Sequence, residues 1–288
     1  DNPDYLENAG RTLGEGVPGI DLMLIGHDHR KELEWLRPRG TADSVLLINP
    51  ANHLDRVSDI QITVKKRGGV VVSKELRPSF ISLEDVEPDP AFLARFAPER
   101  KAVEAYLGSE VGTLEAPVVG EDAVFGSSPY MDVIHRMQME AVGAEISFAA
   151  PLKLSAVLPA GKLYIRDLFK FCPFSNFIYA MSLTGHEIRG YLEHSYAGWT
   201  GGMTSPEDQL IRLRPGAKEG DKYKTAVPPY NYSSAQGIDY LVDLTKPEGS
   251  RVTVLRLTGH KEPFDLDRTY RVAVNSYRAG GAGGMLTK

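Results

Sequence analysis

Two histidines separated by one residue, His27-Asp28-His29, carry the sharpest chemical signal in this sequence. In extended chain, residues two apart face the same side, so both imidazoles can reach one metal site. Gly26 in front of them lets the backbone bend toward such a site. The apolar run Ile20-Asp21-Leu22-Met23-Leu24-Ile25 before it predicts a buried strand that delivers the histidines to a sheet edge. A bare His-x-His is more often an ordinary loop, so spacing alone leaves both readings open.

Other residues imitate chemistry that their surroundings explain. His186 and Glu187 in Thr184-Gly185-His186-Glu187 look like part of a metal motif, yet the same residues form a capping box that opens a predicted helix. His260, between Gly259 and Lys261, reads as a turn residue. The single cysteine, Cys172, excludes an intrachain disulfide and any multi-cysteine zinc site.

The elements that must position these groups fall into three stretches. Residues 1–80 read as strand and loop, with apolar runs at 44–48, 59–64 and 70–72 and a hairpin turn at Gly68-Gly69. Residues 81–110 read as an interdomain helix. Asp89-Pro90 supplies an N-cap and a first-turn proline, Phe92, Phe96, Val103 and Leu107 recur at helical spacing, and Pro98 is expected to kink or split it. Residues 111–288 read as a second domain in which helices and strands mix, an α+β architecture. Its first helix follows Ser128-Pro129 and presents Tyr130, Val133, Ile134, Met137 and Ala141 before Gly143 ends it. The helix after Thr184 would bury Ile188, Tyr191, Leu192, Tyr196 and Trp199. Strands are expected at 145–149, 177–183, 240–244, 252–257 and 270–274. The polar stretch 200–238 is long for plain connection and is either a functional loop or poorly ordered.

Of 288 residues, 42% are hydrophobic and 25% charged, enough for a sizeable buried core. The net charge of -5 offers no general basic field, which argues against duplex nucleic acid as a partner. No apolar run reaches the roughly 18 residues that a membrane-spanning helix needs. The opening DNPDYLENAG lacks the charged-then-apolar order of a signal peptide.

The segment from Asp21 to His29 resembles the last metal-ligand motif of the calcineurin-like metallophosphoesterases, written GHxH. The downstream segments select one branch of them. Ala160 to Phe169, Pro173-Phe174-Ser175-Asn176, Leu183-Thr184-Gly185, Gly237-Ile238-Asp239-Tyr240 and Tyr270 to Asn275 with the glycines after it resemble the C-terminal domain of the family of 5′-nucleotidases, UDP-sugar hydrolases and 2′,3′-cyclic-nucleotide phosphodiesterases. The resemblance runs in order along nearly the whole chain. It implies the last strands of a metallophosphoesterase β-sandwich, a connecting helix, and a substrate-binding domain with a mixed sheet and flanking helices.

By that resemblance His27 and His29 are ligands of two divalent metal ions, zinc or manganese, and Phe174 and Tyr277 are the rings that stack a nucleobase. Asn176 stands where the family contacts the base, although a different gap placement would put Ser276 rather than Tyr277 opposite the second ring. Read without the family, Phe174 is ordinary core and Tyr277 part of a glycine-rich tail. Lys153 keeps the charge of a phosphate-binding arginine but not its planar fork, and the family's second arginine has no counterpart near Gly126. The tyrosines at 230, 232 and 240 either line the entrance of the same pocket or pack beneath the long loop.

The earlier metal motifs of the family are not matched in the 26 residues before His27, and His53 has no glutamate behind it to form Asn-His-Glu. No catalytic residue is therefore expected in this chain. The implied function is hydrolysis of a nucleotide phosphoester by metal-activated water in a longer protein, with this chain supplying mainly substrate binding and inactive alone. The alternatives are a non-catalytic module for an aromatic ligand, or a family member redirected to another phosphoester. The resemblance also implies a nucleotide or nucleoside-like partner and a periplasmic, cell-surface or secreted location.

Overall fold

The structure, a computed structural model, describes residues 9–216 and 224–286. The chain divides into two units between Ala97 and Pro98. In the first, helix α1 (Gly10–Gly16) precedes strands β1 (Leu22–Leu24), β2 (Lys31–Leu36) and β3 (Val45–Pro50), which form a sheet in the order β1-β3-β2. The central strand β3 is buried from Val45 through Asn49, as a run of β-branched and leucine residues on a central strand should be. β1 lies parallel to β3, with Leu24 opposite Ile48. A long antiparallel hairpin follows, β4 (Arg56–Arg67) and β5 (Val70–Ser82), turning at Gly68-Gly69. It is longer than the apolar runs suggest, because its exposed charged residues Lys65, Lys66, Lys74, Glu75 and Arg77 interrupt the hydrophobic pattern.

Helix α2 (Pro90–Leu107) begins where Asp89 Oδ1 accepts the Ala91 N–H at 2.9 Å, and it runs unbroken through Pro98. Pro98 therefore does not split the helix. Proline forfeits one backbone hydrogen bond, and the strong helix formers around it, Ala94, Arg95, Ala97 and Glu99 to Ala102, sustain the helix.

The second unit contains β6 (Glu110–Leu114), β7 (Val118–Val119), a 3₁₀ turn (Gly120–Phe125), α3 (Pro129–Val142), β8 (Ile146–Ala149), β9 (Val157–Leu158), β10 (Gly161–Tyr164) and α4 (Ile165–Phe171). It continues with β11 (Ile178–Thr184), α5 (Gly185–Trp199), β12 (Ser234–Gln236), β13 (Ile238–Val242), β14 (Val252–Leu257), β15 (Thr269–Asn275) and the short α6 (Ser276–Ala279). Its main sheet has the order β11-β15-β8-β12, with β8 and β15 parallel and the outer pairs antiparallel. This is the mixed sheet that an α+β reading requires.

Successive strand residues point to opposite faces, and β8 shows what covers each. Ser147 accepts from Gln138 of α3 at 2.8 Å and pairs with His135 at 3.0 Å, whereas Phe148 stacks on Tyr191 of α5 at 3.9 Å. Helices α3 and α5 therefore cover opposite faces. The inner face of α5 is Ile188, Tyr191, Leu192, Tyr196 and Trp199, as its spacing predicts. The face of α3 is rotated from the expected one. Met131, His135 and Gln138 are buried with Tyr130 and Ile134, while Val133 and Met137 are 41% and 50% exposed. Polar residues can occupy that face because Ser147, Ser234 and the Phe148 carbonyl satisfy them.

The long stretch 200–238 is tied down where it is described. Thr200 bridges to Ile211, Leu213 to Thr225, and β12 pairs with β8. Residues 217–223 of it lie outside the described residues.

Candidate functional site

The start of β11 and the end of β15 meet at one edge of the main sheet, where Ile178 pairs with Asn275. Just beyond that pair, the Ser276 N–H donates to the Phe177 carbonyl at 2.7 Å, and the Phe177 N–H donates back to Ser276 Oγ at 3.2 Å. Ser276 Oγ also donates to Asn176 Oδ1 at 3.2 Å. The chain thus brings Asn176, with Phe174 two residues before it, beside Tyr277. Phe174 is 58% exposed and Tyr277 39% exposed, so neither ring is core. Tyr277 sits in α6, which Asn275 caps by accepting the Arg278 N–H at 2.9 Å. Ser276, the alternative to Tyr277, faces Asn176 with its hydroxyl.

β8 runs parallel to β15, so the segment Ala150-Pro151-Leu152-Lys153 leaves the sheet at this same edge. Tyr130 connects it to the Phe174 segment. Its buried hydroxyl accepts the Lys153 N–H at 3.3 Å and donates to the Phe171 carbonyl at 3.1 Å, and its ring stacks on Phe171 at 4.8 Å. Burial pushes the Tyr130 phenol up to about 12, so it remains a neutral donor. Lys153 itself is exposed.

The three tyrosines of the long segment separate into two roles. Tyr232 is buried and stacks on Trp199 at 4.7 Å, and Tyr240 shares a hydroxyl contact of 2.9 Å with Tyr196. Tyr230 alone of the three is exposed, at 41%, and lies edge-on to Tyr277 with centroids 6.3 Å apart. The sequence reading missed Arg278, which is 4% exposed and donates to the carbonyls of Tyr230 and Ala282 at 2.8 and 2.6 Å. An arginine beside a glycine-rich stretch looks like a surface residue, so no local signal marks it.

In the first unit, His27 and His29 follow β1 and are exposed, both with positive φ, 76° and 59°. Ala51, His53 and Leu54 after the parallel neighbour β3 also have positive φ, and these five are the non-glycine residues with that geometry among the described residues. Left-handed backbone is therefore concentrated in two loops at the carboxyl ends of adjacent parallel strands. Buried Asn49 ties them together, donating to Asp28 Oδ1 at 2.6 Å. A metal centre needs about three protein ligands. Among the described residues no three His, Cys, Asp or Glu side chains are grouped to hold a metal ion, so His27 and His29 do not form such a centre by themselves. No described helix is long and apolar enough to cross a membrane.

A family model described as 5′-nucleotidase, C-terminal domain, matches residues 110–288. Over 97% of its length the chain is 23% identical to the Trifunctional nucleotide phosphoesterase protein YfkN of Bacillus subtilis, covering 21% of that protein. It is 25% identical to a 2′,3′-cyclic-nucleotide 2′-phosphodiesterase/3′-nucleotidase of Haemophilus influenzae, over 96% of this chain and 47% of the relative. The chain thus spans about half of that relative's length and about a fifth of the other's. Among solved structures, a Staphylococcus aureus protein described as a 5′-nucleotidase superposes with a TM-score of 0.64 at 22% identity, over 92% of this chain and 48% of that one. A 5′-nucleotidase precursor from Thermus thermophilus gives 0.50 at 20% identity, over 95% and 53%. At those identities the likeness concerns the fold. The family match, covering the sheet edge that carries Asn176 and Tyr277, shows that this chain belongs to the 5′-nucleotidase C-terminal domain family.

Proposed function

We propose that this chain is the nucleotide-binding part of a metal-dependent phosphoester hydrolase of the 5′-nucleotidase and cyclic-phosphodiesterase class. Phe174 and Tyr277 stack the base, Asn176 contacts it, and Lys153 contributes a point charge toward the phosphate. The observation that carries this reading is the Ser276 to Asn176 hydrogen bond of 3.2 Å, which joins the two ring-bearing segments at one sheet edge. Two half-exposed rings there are worth about 1–3 kcal/mol per stacked base.

His27 and His29 would be two of the metal ligands of the longer protein, whose metals would activate the attacking water. The remaining ligands would come from residues beyond this chain, and residues 1–80 would close a metal domain that the helix of residues 81–110 connects to the substrate domain. The names of the relatives support nucleotides and cyclic nucleotides as the substrate class. A periplasmic or extracellular location belongs to the same reading.

Calorimetric titration of this chain with adenosine, AMP and UDP-glucose tests it, with Phe174→Ala as control. Binding that is lost in Phe174→Ala is expected; no binding of any of the three moves the substrate away from nucleotides.

A further inference from the structure

Arg278 is a buried cation with an unusual set of partners. Its Nη2 donates to the Tyr230 carbonyl at 2.8 Å and to Ser233 Oγ at 3.3 Å, and its Nη1 donates to the Ala282 carbonyl at 2.6 Å. Its guanidinium carbon lies 5.8 Å from the centre of the Tyr277 ring. One planar fork thereby joins the turn that carries Tyr230, the segment after α6 and the ring of Tyr277. A lysine, with a single charged nitrogen, cannot span those acceptors in the same way. The surroundings are built to admit it. Gly283 has a φ of 78°, and a Cβ at that position would collide with Arg278 Nη1.

The Tyr230 backbone is held from its other side as well. The Pro228 carbonyl accepts the Asn231 N–H at 2.8 Å, and Tyr232 is anchored by its stack on Trp199. Ser233 is fixed in turn by Tyr191 and Ser195, at 3.0 and 2.8 Å. A half-exposed aromatic side chain on so constrained a backbone is pre-organised for a flat ligand, which lowers the ordering cost of binding. Its ring meets Tyr277 at 85°, the edge-to-face arrangement that fixes one ring against another.

We propose that Tyr230 is a third aromatic wall of the base site and that Arg278 is the positioning residue that holds Tyr230 and Tyr277 together. The inference rests on the reading of Phe174 and Tyr277 as stacking rings. The ligand it would grip is a planar heteroaromatic ring, a nucleobase.

The test is calorimetric titration of this chain with adenosine. Tyr230→Ala is expected to weaken binding about fivefold, while Tyr230→Phe retains it, because the ring and not the hydroxyl makes the wall. Arg278→Lys is expected to weaken binding by a similar factor in the parent chain and by a smaller factor in the Tyr230→Ala background, where only Tyr277 remains to be positioned. A merely structural arginine would give the same fold-loss in both backgrounds, which overturns its positioning role. Adenosine binding that is abolished by Phe174→Ala but unchanged by Tyr230→Ala overturns the third wall and leaves the base-stacking reading intact. No adenosine binding at all overturns both. Tyr230 is half exposed, so its variants keep the test decisive even where Arg278→Lys lowers stability.

Discussion

Ser276 Oγ donates to Asn176 Oδ1 at 3.2 Å and accepts the Phe177 N–H at 3.2 Å, so one hydroxyl clasps two segments that lie 100 residues apart in sequence. Tyr277 follows that clasp directly and Phe174 lies just before it. The register of β11 on β15 and this hydroxyl together hold the two segments side by side.

Ser276→Ala removes the hydroxyl while leaving the backbone pairing to Phe177 in place. The expected result is a loss of about 1 kcal/mol in stability, since the Phe177 amide is exposed and water can replace one partner. Adenosine affinity should fall severalfold through the loosened Asn176. Urea denaturation and calorimetry on the same sample check both.

Tyr130→Phe keeps the ring stacked on Phe171 and deletes the hydroxyl that joins the Lys153 turn to the end of α4. The buried Phe171 carbonyl then loses a partner, costing about 1–3 kcal/mol. The midpoint in urea should drop, and AMP binding should weaken more than adenosine binding if Lys153 faces the phosphate.

His135 gives a pH prediction whose sign follows from burial. Desolvation lowers its pKa from 6.5 to about 3, so it is neutral in the folded chain, held between Ser147 and Ser234. Between those two values the unfolded chain binds the extra proton, so stability is full above about 6.5 and falls as pH drops toward 3. At pH 5 the loss is about 2 kcal/mol relative to pH 7. Comparing urea midpoints at the two pH values, His135→Gln should show a smaller drop than the parent by about that amount.

Gly237 and Gly143 separate backbone strain from collision. Both have positive φ, 92° and 61°, but a Cβ at 237 would strike the Glu145 carbonyl whereas nothing lies within 4 Å at 143. Gly143→Ala should cost about 1 kcal/mol from the left-handed backbone alone. Gly237→Ala should cost more, about 2–4 kcal/mol, because the corner between β12 and β13 must move away from β8. Thermal melts of the two variants side by side measure the difference.

Much of the second unit was legible from local chemistry. Ser128-Pro129, Gly143 and the Thr184 to Glu187 capping box mark helix ends because cap geometry involves residues three or four apart. The apolar face of α5 follows from spacing because Ile188, Tyr191, Leu192, Tyr196 and Trp199 recur three or four residues apart and are all buried, although Glu193 and Ser195 are buried beside them. The face of α3 does not, because His135 and Gln138 become core only when Ser147 and Ser234, on two other strands, supply their partners. Pro98 is a similar case, since its flanks outweigh a local rule.

The candidate site divides along the same line. Phe174, Asn176 and Tyr277 are marked only by the resemblance of their segments to a known family, whereas local pattern by itself determined the His27-Asp28-His29 turn and an α+β second domain. Only the tertiary structure decided that Asn176 and Ser276 share a hydrogen bond, that Tyr232 is core and Tyr240 packs half-buried against it while Tyr230 is exposed, and that Arg278 is buried. The physical reason is range. Caps, turns and helix faces are satisfied within a few residues, whereas a buried guanidinium is stable only where acceptors from distant segments converge on it.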